Sequence, residues 1–171
     1  MNVYEAINAR RSVRAYKKDK PVPSDVLNRM LEAVRMAPSG GNRQPWKFVV
    51  VTDHETRRKL AEAANGQNFV AEAPVVIAAV GLSPERMMSC EIPGDSVDLA
   101  IAIDHLTLAA VEEGLGTCWI GAFSQEKVCR ILHVPASCKV IELLTLGYPA
   151  DLPRAKARKS RNEIICHEKF S

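Results

Sequence analysis

Apolar and polar positions repeat along this chain with two different periods, and each change of period marks an element. Val3–Ala9 sets Val3, Ala6 and Ile7 on one face and predicts a short helix. Val26, Leu27, Met30, Leu31 and Val34 form a stripe at helical spacing, which predicts a helix over Asp25–Met36 with Ser24 as its N-cap. Phe48–Val51 reads as a strand. Thr52-Asp53-His54-Glu55 then matches a capping box ahead of a helix ending near Ala64. Ala73–Val80 is apolar on both faces, as a central strand should be. Leu82–Asp95 reads as a connection, and Val97–Glu113 is the most hydrophobic helix, with Asp98, His105 and Glu112 as its polar stripe. One small sheet cannot cover so apolar a helix, which predicts a second subunit against it. Gly114–Phe123 holds a glycine-punctuated strand. Ser124 caps a helix over Gln125–Leu132, and Lys139–Leu146 supplies another strand.

Composition narrows the picture without changing it. A chain of 171 residues predicts one domain over 1–171, large enough for a substantial core. Hydrophobic residues make up 47% and charged residues 25%, a globular balance. A net charge of +3 is too small for a polycation that coats nucleic acid. No apolar run reaches membrane-spanning length, and the first residues lack a signal core, so no membrane partner and a cytoplasmic location are expected. Five cysteines without a Cys-x-x-Cys pair fit reduced thiols better than a disulfide frame or a metal site.

Two stretches carry chemistry. Ala37–Trp46 reads Ala-Pro-Ser-Gly-Gly-Asn-Arg-Gln-Pro-Trp. Pro38 and Pro45 steer the backbone away from helix, and Gly40 and Gly41 let a ligand approach the main chain. Ser39, Asn42 and Gln44 add neutral donors and acceptors on a loop whose N–H groups are expected to be largely free. Such a loop can hydrogen-bond a flat polar heterocycle, or it can be an ordinary helix-to-strand turn. Arg10-Arg11-Ser12-Val13-Arg14 crowds three guanidiniums beside a hydroxyl, an arrangement that suits a phosphate monoester or a solvated basic surface. In an extended backbone Arg10, Ser12 and Arg14 share a face, opposite Arg11 and Val13. A second basic run, Arg154–Arg161, could converge on the same anion. The glycines at 114, 116 and 121 do not form a dinucleotide fingerprint, and no Walker lysine is present.

These pieces, in this order, resemble the FMN-dependent nitroreductase family over essentially the whole chain. The matching motifs are Arg10–Arg14, Ala37–Trp46, Ala73-Pro-Val-Val-Ile77, Gly114-x-Gly-Thr-Cys-Trp-Ile-Gly121 and the basic arm Lys156-Ala-Arg158. The resemblance implies an α+β, nitroreductase-like fold: a mostly antiparallel central sheet flanked by helices, in an intertwined homodimer whose C-terminal segments cross between subunits. It implies that Arg10, Arg11, Ser12 and Arg14 hold the flavin mononucleotide, Arg10 at the phosphate and Arg14 at the pyrimidine edge. Lys156 and Arg158 match further phosphate contacts. Pro38, Ser39, Gly40, Asn42 and Gln44 match the loop that reaches the flavin from the other subunit. Ile120, Gly121 and Ala122 match the strand end beside the ring, and Gln67 lies near a position touching the pyrimidine. Some larger relatives carry a glutamate where this chain has Gly121.

The implied cofactors are FMN, with NADH or NADPH as co-substrate, and the flavin carries the chemistry, so no catalytic side chain and no metal are expected. A guanidinium at the pyrimidine edge stabilises negative charge as it develops on the ring. The implied activity passes electrons from NAD(P)H to small acceptors such as nitroaromatics, quinones or activated alkenes by a ping-pong mechanism. Two alternatives stand beside it: a flavoenzyme with one dedicated acceptor, and a non-catalytic module that binds nucleic acid through the two basic arms.

Overall fold

The computed structural model describes residues 1–151 and 157–170. Its order of elements is α1 (Val3–Ala9), α2 (Ser24–Arg35), a single 3-10 turn (Gly40–Asn42), β1 (Trp46–Val51), α3 (His54–Ala63), α4 (Phe69–Glu72), β2 (Val75–Gly81), α5 (Gly94–Glu112), β3 (Gly116–Ile120), α6 (Gln125–Leu132), β4 (Lys139–Gly147) and α7 (Arg161–Ile164). The strands form one sheet in the order β1-β2-β4-β3, with every pairing antiparallel. β2 is buried along its whole length, as a strand apolar on both faces requires.

Alternation along β2 and β4 divides the core in two. Val75, Ile77 and Ala79 of β2, with Leu144 and Leu146 of β4, face α2 and α5 through Met30, Val34, Leu99, Ile103 and Leu106. Val76, Ala78 and Val80, with Val140 and Leu143, face α3, α4 and α6 through Leu60, Val70 and Val128. Helices therefore cover both faces of the sheet, the layered solution expected when both faces are apolar. Burying a Leu or Ile in such a core stabilises the fold by ~1.5–3 kcal/mol.

Local chemistry sets where the helices begin. Asn2 and Glu5 close a capping box on α1, each side chain bonding the other's backbone N–H at 2.9 Å. Ser124 caps α6 as expected, accepting from the Lys127 N–H. Two expected caps are displaced. Ser24 lies inside α2, because the Pro23 carbonyl already accepts from the Leu27 N–H and the helix starts one residue early. The box at Thr52–Glu55 does not form; Asp53 caps α3 instead, accepting from both the N–H and the hydroxyl of Thr56 at 2.7 Å. α5 also begins earlier than its apolar pattern, at Gly94.

Candidate functional site

The arginine stretch lies against the outer edge of β3. Ser12 makes a parallel bridge to Thr117, and the Val13 N–H donates to the Thr117 carbonyl at 2.8 Å. Val13 is buried and fits a space that only glycine at 116 leaves open, since a β-carbon there would stand 2.8 Å from Val13 Cβ. Tyr16 anchors the far end: its hydroxyl contacts the Val13 carbonyl at 2.8 Å and Thr145 Oγ1 at 2.6 Å, and burial raises its pKa. With Val13 and Tyr16 turned inwards, Ser12 and Arg14 are exposed and Arg10 is half-buried. Arg11 behaves differently. Its guanidinium folds back onto the carbonyls of Asn8 and Arg10 at the end of α1.

The Arg10 and Arg14 guanidiniums have no carboxylate partner among the described residues. Arg14 lies over the Phe69 ring, 5.9 Å from its centroid. Both lie close enough to Cys118 to oppose the upward push that burial gives its thiol. Two cations and a hydroxyl on one strand edge, without a carboxylate partner among the described residues, are chemistry that suits an anion. The end of β3 completes this side. Asn65 and Gln67 both donate to the Ala122 carbonyl, at 3.4 and 3.3 Å, which fixes the backbone after Ile120 beside exposed Gly121.

Ala37–Trp46 has the opposite character. The Gly40 N–H donates to Asp98 Oδ1 at 3.0 Å, the Asn42 N–H to the Ser39 carbonyl, and the Gln44 N–H to Ser39 Oγ at 2.9 Å. The Gln44 side-chain amide reaches the carbonyl and Oδ1 of Asn42. The N–H groups expected to be free are thus in good part engaged, and the loop braces itself. Asn42 and Gln44 hold positive φ angles of 53° and 51°, beside Gly41 at 62°. Pro38, Gly40, Asn42 and Gln44 remain exposed.

The fold does not bring the two stretches together within one chain. The loop enters β1, the arginines flank β3, and these are opposite edges of the sheet, three strand spacings or ~14 Å apart. Lys156 lies outside the described residues. Arg158 is exposed, its guanidinium donating to the Ala157 carbonyl at 2.8 Å. A separate cavity of about 670 Å³ opens where β1 finishes and β2 begins, lined by Lys18, Thr52, His54, Arg57 and Glu72, and includes no residue of Arg10–Arg14 or Ala37–Trp46. Among the described residues no cluster of His, Cys, Asp or Glu could hold a metal ion, and no helix is long and apolar enough to cross a membrane.

The nitroreductase family model matches residues 7–87 and 64–148. The chain belongs to the nitroreductase family. An FMN reductase [NAD(P)H] of Bacillus subtilis is 31% identical over 185 residues, covering 98% of this chain and 74% of the relative. An NADH dehydrogenase of Thermus thermophilus is 35% identical over 176 residues, covering 83% and 84%. Among solved structures, the NADPH:FMN oxidoreductase of Vibrio harveyi complexed with NAD+ superposes with a TM-score of 0.91 at 26% identity, over 100% of this chain and 79% of that one. As a nitroreductase the chain has the expected α+β fold.

Sequence reasoning passed over three residues that the structure places next to the loop. Asp98 is 4% exposed rather than part of a solvated stripe, and Asp95 and Arg86 stand beside it. Asp95 and Asp98 are one helical turn apart, and Arg86 is the only cation in Leu82–Pro93, a pairing visible in the sequence once α5 is begun at Gly94.

Proposed function

We propose that this nitroreductase passes electrons from NADH or NADPH, through bound FMN, to small acceptors such as nitroaromatics, quinones or activated alkenes. The uncompensated pair Arg10 and Arg14, flanking Ser12 on the β3 edge, carries this reading. Bound FMN supplies hydride and electron transfer. Arg10 and the Ser12 hydroxyl would hold its phosphate, joined by Lys156 and Arg158. Arg14 would face the pyrimidine edge of the ring, where a fixed cation stabilises developing negative charge without reorganisation. Gln67 and the backbone from Ile120 through Gly121 to Ala122 would line the ring. Arg11 would act at one remove, holding the end of α1 that delivers Arg10.

Pro38, Ser39, Gly40, Asn42 and Gln44 would contribute from a second copy of the chain, because they occupy the other edge of the sheet. The proposed homodimer also accounts for apolar side chains left in water. Tyr4 is 79% exposed and Trp119 44%, and Val3 and Ile7 on α1 and Ile101 on α5 are exposed as well. The relatives' names support the donor and cofactor: FMN reductase [NAD(P)H] in Bacillus subtilis and NADPH-flavin oxidoreductase in Vibrio harveyi.

The test is the visible spectrum of the purified protein, recorded anaerobically before and after NADH, then NADPH. A yellow protein bleached by either donor is the expected result, with ping-pong kinetics toward the acceptor. A colourless protein that takes up no added FMN would overturn the reading.

A further inference from the structure

The loop Ala37–Trp46 is held from outside by one buried carboxylate. Asp98 has two oxygens with two different partners. Oδ1 accepts the Gly40 N–H at 3.0 Å, and Oδ2 accepts from Arg86 Nη2 at 3.2 Å. Arg86 Nη2 also stands 3.7 Å from Asp95 Oδ1, while Asp95 Oδ2 accepts the Ser83 N–H at 2.7 Å. Asp95 is 1% exposed. The Arg86 backbone is fixed as well: its N–H donates to the Ser83 carbonyl at 2.9 Å, and its carbonyl accepts the Gly94 N–H at 3.0 Å. Glycines make room for the cluster. A β-carbon at Gly81 would lie 2.9 Å from Asp95 Oδ2, and one at Gly94 would collide with the Arg86 guanidinium.

We infer that Asp98 is a positioning residue for the flavin-facing loop, and that Arg86 locks it, so that the Leu82–Pro93 connection sets where Gly40 and its neighbours stand. This rests on the reading of the loop given above. The physical case is one of supply: a single guanidinium serves two buried carboxylates, and Arg86 Nε and Asp95 Oδ1 have no hydrogen-bond partner. Taking the guanidinium away leaves two buried carboxylates facing each other without a cation, which is strongly unfavourable. When they relieve that by turning apart, Asp98 releases Gly40. A hydrogen bond to a charged acceptor is among the stronger ones, so its loss should be measurable in the loop. Neither Asp98 nor Arg86 needs to touch FMN for this effect.

The experiment uses the whole purified chain before and after FMN is added, as Arg86→Gln, Asp98→Asn, the double variant and Arg86→Lys. The first readout is amide hydrogen exchange at Gly40, and the second is the FMN dissociation constant. Arg86→Gln should accelerate Gly40 exchange by ~10-fold, the loss of about one charge-assisted hydrogen bond, and weaken FMN binding several-fold. The double variant should be no worse than the worse single one, because the two residues act as a unit. Arg86→Lys should restore part of both effects, and it also tests the idea if Arg86→Gln does not fold. Unchanged Gly40 exchange in every variant, or effects that multiply in the double variant, would overturn the inference. Faster Gly40 exchange with unchanged FMN affinity would keep the lock and instead overturn the flavin-facing reading of the loop.

Discussion

The two edges of the sheet are built on opposite principles. At the β3 edge two guanidiniums stand without counter-charges among the described residues, carried on a segment pinned by Val13 and Tyr16. At the β1 edge the loop carries one cation, exposed Arg43, its neutral polar groups are bonded to one another, and one buried carboxylate, Asp98, bonds it from behind. An edge left short of partners has affinity to give to an anionic ligand. An edge already satisfied gives shape. The difference teaches that the β3 edge should dominate how tightly a phosphorylated ligand is held, and the β1 edge how accurately it is placed.

The comparison can be broken at its strongest point first. Arg10→Ala or Arg14→Ala should each weaken FMN binding by ~10- to 100-fold, the range for a charge-assisted hydrogen bond of ~1.5–3 kcal/mol. Fluorescence titration of FMN would measure it. Asn42→Ala in the loop should cost less than tenfold in the same titration. Equal losses at the two edges would end the asymmetry.

Next comes the support under the arginines. Gly116→Ala pushes a methyl group into Val13, so it should destabilise the fold by ~1–3 kcal/mol by overpacking and loosen FMN as well. Urea denaturation beside the same titration would separate the two effects.

Glu142 adds a pH-dependent effect from an inner strand of the sheet. It lies on β4 next to Leu143, the partner of Ile120, fully buried with neither oxygen hydrogen-bonded. Burial pushes its pKa from the ordinary 4.5 up to about 9. Between those values the unfolded chain has lost the proton and the folded chain keeps it, so folding takes up a proton and stability falls as pH rises across that window. Glu142→Gln removes the dependence. Its lead in unfolding free energy over the parent should widen from pH 5 to pH 8, by no more than ~1.4 kcal/mol per pH unit. A lead that stays constant would mean that Glu142 is charged in the folded chain. The smallest effect belongs to the end of β1 away from the loop: Asp53→Ala should lower stability by ~1 kcal/mol through its lost cap while leaving FMN affinity alone.

Much of this was legible before the structure. α1 and α6 run between the residues their patterns predict, and the strands differ only by a residue or two at their ends. Period alone suffices there, because local geometry decides which face is buried. The alternation placing Ser12 and Arg14 away from Val13 was readable for the same reason. What escaped was set by distant partners. Seven-residue spacing correctly puts Asp98 and His105 on one side of α5, but only the arrival of Gly40 and Arg86 buries Asp98. The cap at Asp53 was missed because Thr52 and Asp53 are neighbours of similar capping power and the contacts to Thr56 chose between them; at Pro23 a backbone carbonyl, not a capping side chain, set the start of α2.

The opposite placement of loop and arginines has a consequence at low concentration. If two copies complete the flavin site as proposed, cofactor uptake and self-association are one coupled equilibrium, obeying mass action. Diluting the protein should release FMN even when the free cofactor is held constant, and adding FMN should drive the chains together. The colour of the solution would then report how crowded the protein is.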